Sequence, residues 1–269
     1  MNLDSRSLYL RRLIVTALEG GGRGHLGSAL SLVEILRVLY DEILKFDPAN
    51  PKSEQRDRFI LSKGHGCLAL YAILADKGFF DPHELRHFCR YGTFLGGHPE
   101  AGRTPGVEAS TGALGHGLPI AVGMALGLRL KKNPARVYVV MGDGEINEGS
   151  VWEAAMSAAK HSLDNLTALV DYNKLQSYGP VDDVMPLEPL ADKWRSFGFN
   201  VSEVDGHDCS ALSAALQAHN FATGKPRLVV CHTVKGKGVP FAENVAAWHH
   251  KSKVSDDDIA AMRACLGGG

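Results

Sequence analysis

The sequence predicts an α/β fold in which one doubly wound parallel sheet carries helices on both faces. Three observations predict it. Five short apolar runs of strand length lie at Arg58–Leu61, Val137–Met141, Leu166–Val170, Asn200–Val204 and Arg227–Cys231. Helical periodicities separate most of them, the alternation that builds parallel sheets through right-handed crossovers. Glycine-rich segments follow the strands, where ligands gather in such folds. With 269 residues, 45% hydrophobic and 22% charged, the composition is that of an ordinary globular chain, and residues 1–269 read as a single domain.

In chain order, Leu10, Ile14, Ala17 and Leu18 mark an opening helix. The segment Gly20-Gly21-Gly22-Arg23-Gly24-His25-Leu26-Gly27 is too glycine-rich to continue it and suits close approach by a ligand. Ser31 and Glu34 form a capping-box pattern ahead of Ile35, Leu36, Leu39 and Ile43, which predicts a second helix. Residues 91–111 and 173–189, rich in Gly, Pro or Asp, are long loops, and long ordered loops are usually functional. Ala113–Leu130 is apolar but holds His116, Pro119 and four glycines, so a tightly packed buried helix is expected rather than a membrane span. The terminal Gly267-Gly268-Gly269 is expected to fray.

Charge narrows the function. The 29 Lys and Arg balance 30 Asp and Glu, and their interspersion gives no basic face for nucleic acid. Five widely spaced cysteines, Cys67, Cys89, Cys209, Cys231 and Cys265, disfavour both a disulfide framework and a zinc site. Arg6, Arg11 and Arg12 precede an apolar stretch too short for a secretory signal, so a cytoplasmic location is expected.

The run Val139-Val140-Met141-Gly142-Asp143-Gly144-Glu145-Ile146-Asn147-Glu148-Gly149 takes a strand through a glycine turn into a helix starting near Ser150. A dinucleotide loop would place its third glycine at Asn147 and would not put an aspartate against a pyrophosphate. Two like charges about 4 Å apart repel by roughly 4 kcal/mol at an effective dielectric of about 20, so Asp143 beside a diphosphate needs a cation between them. Mg²⁺ meets that need. About thirty residues on, the strand ending Asp171-Tyr172-Asn173-Lys174-Leu175 returns beside Asp143 after one crossover. Asp143, Asn173 and a backbone carbonyl near Leu175, with phosphate oxygens and water, complete an octahedral oxygen shell.

That pairing resembles the motif of thiamine diphosphate enzymes. Gly24-His25-Leu26-Gly27-Ser28, Leu61-Ser62-Lys63-Gly64-His65-Gly66, Gly97-His98-Pro99-Glu100, Thr111-Gly112-Ala113-Leu114-Gly115-His116-Gly117 and Trp248-His249, in that order, resemble transketolase. The blocks span nearly the whole chain where a transketolase of usual length is only half finished, so the resemblance is to the amino-terminal, diphosphate-binding subunit of a split enzyme. It implies thiamine diphosphate and Mg as cofactors, and a carboxyl-terminal pyrimidine-binding partner with two copies of each chain. Cofactor contacts are implied for His65, Gly112, Leu114, Gly142, Asp143, Gly144, Asn173 and His249, the glycine loop at Gly112 and Leu114 through its backbone. His25, His98 and His249 are implied around a ketose phosphate donor, and Glu148 at the subunit contact, relaying toward the partner's cofactor-activating glutamate.

The expected reaction is transfer of a two-carbon ketol unit from a ketose phosphate to an aldose. Its rivals are a specialised ketol transferase, a ketoacid decarboxylating synthase or dehydrogenase subunit, a nucleotide-binding Rossmann protein and a noncatalytic scaffold. His65 and His98 favour sugar handling over ketoacid chemistry. Lys235-Gly236-Lys237-Gly238 reads as a solvated loop outside the site. His250, where many transketolases carry glycine, leaves open which imidazole faces the site, and Ser177-Tyr178, in place of an apolar-acidic pair, leaves open how a thiazolium would pack.

Overall fold

Strands β1 (Arg58–Leu61), β2 (Val137–Gly142), β3 (Leu166–Tyr172), β4 (Asn200–Asp205) and β5 (Arg227–His232) pair in the order β1-β2-β3-β5-β4, all parallel. The computed structural model describes residues 3–217 and 224–267, which leaves Gly268 and Gly269 of the glycine tail outside the described residues. All five predicted strands are present, the last four extended by one or two residues at their carboxyl ends.

The two-residue period of the strands sorts side chains onto two faces. Ile60, Val137, Val139, Met141, Ala168, Val170, Leu228 and Val230 pack under helices α5 (Gly117–Leu130), α6 (Gly149–Lys160) and α8 (Leu190–Ser196). Leu61, Tyr138, Val140, Leu169, Val229 and Cys231 face the other core. That core is built by helices α1 (Ser5–Gly21), α2 (Leu26–Leu30), α3 (Val33–Val38), α4 (Cys67–Asp76), α9 (Cys209–Gln217) and α10 (Asp256–Cys265). A further short helix, α7 (Val181–Val184), lies within the 173–189 loop. The β1, β2, β3 and β5 runs look largely apolar because both faces are buried, whereas the edge strand β4 is only partly covered. Fully buried Trp194 of α8 packs on Trp152 and Phe199. Truncating such a side chain costs about 3–5 kcal/mol.

Three local expectations are corrected. The Ser31–Glu34 capping box does not form: Ser31 donates its hydroxyl to Asp171 at 2.6 Å, and Glu34 receives both Arg11 terminal nitrogens at 2.6 and 3.0 Å. Long-range partners outcompete the local cap. The glycine-rich segment does not interrupt helix throughout, since α1 runs on to Gly21, is capped by left-handed Gly22, and α2 already begins at Leu26. The 117–130 helix buries only one face. Leu118, Ala121, Val122, Ala125 and Leu128 are inside, whereas Gly123 and Gly127 meet open space and Leu130 is exposed. No helix among the described residues is long and apolar enough to cross a membrane, and the five cysteines are unpaired.

Candidate active site

The carboxyl ends of β1, β2, β3 and β5 release the segments that carry nearly every residue singled out above. His25 stands at the start of α2, His65 in the turn after β1, His98 in the 91–111 loop, and His249 and His250 just before the chain returns to α1. Their rings converge on His25, with centroids 5.4 Å away for His65, 6.1 Å for His98, 5.5 Å for His249 and 4.5 Å for His250. Both His249 and His250 thus reach the cluster, which answers the question of which imidazole faces it. A backbone strap places them there: Gly24 and Lys251 exchange two hydrogen bonds of 3.0 and 2.9 Å.

Loop placement follows from close backbone packing. A Cβ on Gly64 would stand 2.7 Å from the Gly112 nitrogen, and one on Gly112, whose φ is +135°, 2.7 Å from His98 Cδ2. Glycine is required at both positions. Tyr71 donates its hydroxyl to the His98 carbonyl at 2.9 Å, and Cys67 its thiol to Gly97 at 3.1 Å. Glu145 joins three loops, accepting from the Ser62 hydroxyl, from Gly115 N–H at 3.0 Å and from Gly142 N–H at 3.1 Å.

Burial, helped at three of them by neighbouring positive charge, disfavours the protonated form of His25, His65, His98 and His249. Burial, then His250, His98 and two lysines hold His25 at about 4. Burial, with Lys235 and His25, brings His249 to about 3. Burial and Lys63 carry His65 well down, and burial alone lowers His98. Neutral imidazoles can both donate and accept, which suits them to hydroxyl groups.

Beside them the buried Asp143 carboxylate accepts the Gly144 and Lys174 amides, each at 2.7 Å. The Asn173 side-chain oxygen accepts Leu175 N–H at 3.1 Å, and the Leu175 carbonyl receives the Lys235 ammonium at 2.5 Å. Burial and the nearby Asp171 push the Asp143 pKa up, against the pull of Lys63. The buried carboxylate, the Asn173 amide oxygen and the Leu175 main-chain carbonyl together make an all-oxygen donor set of the kind a hard cation such as Mg²⁺ takes, the carbonyl being one that Lys235 now occupies. Among the described residues no three His, Cys, Asp or Glu side chains gather as a metal site, so a cation would need ligand oxygens as well.

Sequence reading missed the positive wall of this basin. Lys235, read as solvated, is 2% exposed, and burial together with Lys63 brings it down to about 8. Lys63 is buried against Asp171. Ser28 Oγ, Gln176 Nε2 and His249 Nδ1 are buried without a protein partner. Two buried ammonium groups and orphaned polar atoms around one carboxylate fit a magnesium-bound diphosphate. Glu148 is exposed at the start of α6, close to Gly115, and Leu114 is partly buried. A cleft of about 850 Å³ is lined by Asn173, Leu175, Thr233, Val234 and His207 among others.

The family model for the transketolase thiamine diphosphate binding domain matches residues 5–268. A 6-deoxy-6-sulfo-D-fructose transketolase subunit of a Clostridium species is 44% identical over 250 residues, 93% of this chain and 91% of the relative. An apulose-4-phosphate transketolase subunit of Phocaeicola vulgatus is 40% identical, covering 97% of this chain and 92% of the relative. The transketolase of Campylobacter jejuni superposes with a TM-score of 0.91 at 31% identity, over 100% of this chain and 43% of that one. The chain therefore spans most of those two subunits and about two fifths of that solved transketolase.

Proposed function

This chain belongs to the transketolase family, and from that premise we propose that it is the amino-terminal subunit of a split enzyme moving a two-carbon ketol unit from a ketose phosphate to an aldose. Residues 1–269 act as one diphosphate-binding domain, in the cytoplasm, with a carboxyl-terminal pyrimidine-binding partner, two copies of each. The observation that carries the reading is the convergence of neutral imidazoles on His25, beside a basin with one cation-seeking carboxylate and two buried lysines.

Asp143, Asn173 and the Leu175 carbonyl would hold Mg²⁺, while Lys235, His65, His249 and the Ser28 hydroxyl would bind the diphosphate beside Gly142 and Gly144. Thiamine diphosphate, once bound, supplies the nucleophilic carbon and the electron sink that carbon–carbon cleavage needs. Gly112 and Leu114 would offer backbone groups to the flat ring. His25, His98 and His249 orient the ketose and exchange its hydroxyl proton, a role open to imidazoles that are neutral at working pH. Glu148, exposed beside Gly115, would meet the partner.

The names of the two subunit relatives favour a second, narrower reading in which the donor is a specialised sugar. His250 supports it, because an extra imidazole 4.5 Å from His25 narrows the donor side. The test is magnesium-dependent thiamine diphosphate binding by calorimetry, followed by ketol-transfer assays with the partner present and a panel of ketose phosphates. Tight binding of a nicotinamide dinucleotide in place of thiamine diphosphate would overturn the proposal.

A further inference from the structure

His207 follows β4, remote in sequence from every residue given a role above, and its ring is 7% exposed. Its Nε2 accepts the Val234 amide at 2.8 Å, and its Nδ1 lies 2.8 Å from Glu34 Oε2. A backbone N–H can only donate, so Nε2 carries no proton. The ring proton sits on Nδ1 and is donated to Glu34. Glu34 is in turn gripped by Arg11, which also donates from Nε to the Lys237 carbonyl at 2.8 Å. The loop after β5 is thus pinned on either side of Lys235: Val234 by His207, Lys237 by Arg11, with Gly236 N–H on the Gly27 carbonyl at 3.0 Å. These anchors aim the Lys235 ammonium at the Leu175 carbonyl.

A long lysine side chain loses rotamer entropy when it is ordered. A backbone fixed on both sides lowers what must be ordered when an anion arrives. A device that fixes this loop therefore acts on affinity from a distance.

We propose that His207 is a positioning residue for the diphosphate site: its ring bridges Glu34 to the Val234 amide and so fixes the loop that presents Lys235. The inference rests on the reading of Lys235 as a diphosphate contact. It predicts that the Nε2 bond matters and the Nδ1 bond far less. The two amide residues separate them, because asparagine can replace Nδ1 and glutamine Nε2.

In the full-length chain, folded state checked by circular dichroism, His207→Asn should speed hydrogen exchange of the 233–238 amides about tenfold without ligand. It should weaken magnesium-dependent thiamine diphosphate binding by a similar factor, and His207→Gln should keep both within threefold of the parent. Val234→Pro, which removes the amide proton from the loop side, should reproduce the asparagine loss. In a Lys235→Ala background, His207→Asn should change affinity less than twofold, an outcome that a merely structural histidine would not give. Glutamine as damaging as asparagine, asparagine without effect, or a loss that persists in the Lys235→Ala background overturns the proposal. If Lys235→Ala alone leaves affinity unchanged, the reading of Lys235 fails instead, and loop exchange in His207→Asn still reports whether the bridge exists.

Discussion

Lys63 and Asp171 pair with their side chains 2% and 0% exposed, so the positive wall beside Asp143 is anchored on a carboxylate that water does not reach. Burial alone would raise the Asp171 pKa, but Lys63 and the hydroxyls of Ser31 and Thr233 overcome it and hold it down. Breaking such a pair by removing one charge costs about 3–5 kcal/mol, because the other is left buried and alone. Asp171→Asn should lower the melting temperature by about 10 °C. A depressed carboxylate stabilises above its unfolded pKa and loses that contribution as pH falls through the folded value. The deficit of the variant in urea titrations should therefore shrink below about pH 4.

Asp143 is the opposite case. Its pKa is raised by burial and by Asp171, so its ionised form costs the apo chain stability. Asp143→Ala should leave the apo chain folded, the relief of a buried charge set against two amides left without their acceptor, while magnesium-dependent thiamine diphosphate affinity drops by about 100-fold or more. Calorimetry and thermal melts on the same samples check both halves. Unchanged affinity in a folded variant would sink the metal assignment.

His98 covers Gly112 and is tied through its carbonyl to Tyr71, away from the Asp143 loop. His98→Ala should lower ketose turnover by about 100-fold, in the range of lost proton-transfer catalysis. Cofactor affinity should change less than threefold. Equal losses in the two measurements would mark His98 as structural.

The imidazole cluster gives a pH signature. His25 and His249 sit at about 4 and about 3 in the folded chain, below the ordinary value of 6.5. As pH falls below about 6.5 the unfolded state takes up protons that the folded state refuses, so stability falls with pH in that window. Urea midpoints of the parent should decline from pH 7 to pH 5 more steeply than those of a His25→Asn, His249→Asn double variant. Parallel declines would show that the cluster is not the source.

The strands and the Asp143 turn were legible because both are local: an apolar run, or a polar residue at a glycine turn, carries its meaning in a few neighbours. The four family histidines were legible only as separate glycine-loop motifs, and their meeting at His25 belongs to the fold. Lys235 was misread for a physical reason, since a lysine between glycines looks solvated until Gly27, Leu175 and His207 are brought around it from distant segments. Glu145, Lys63 and Asp171 escaped notice likewise, as each is an unremarkable charge until its partner arrives from another strand end. Ser31 and Glu34 mimicked a capping box because both residue types suit one, and only tertiary contact reveals that each is engaged elsewhere.

The last prediction is that this chain performs ketol transfer only with a second polypeptide. Thiamine chemistry needs a carboxylate against the aminopyrimidine to promote loss of the reactive ring proton, and the ring would lie over Gly112 and Leu114, where the described residues offer backbone rather than an acid. Exposed Glu148 stands nearby, its Cβ 2.6 Å from where a side chain on Gly115 would begin, so an incoming carboxylate could share a proton with it. Met156 on α6 is more than half exposed, as are Tyr178 and Met185 on the loop after Asn173. Apolar groups of this size gain about 25 cal/mol for each Å² withdrawn from water, which favours a covering partner. Ketol transfer from a ketose phosphate should be undetectable with this chain alone or with the candidate partner alone, and should appear in an equimolar mixture containing Mg²⁺ and thiamine diphosphate. Glu148→Gln should then lower turnover of the mixture by about tenfold or more while cofactor binding to this chain stays within threefold. Full turnover by this chain unaided would refute the split reading.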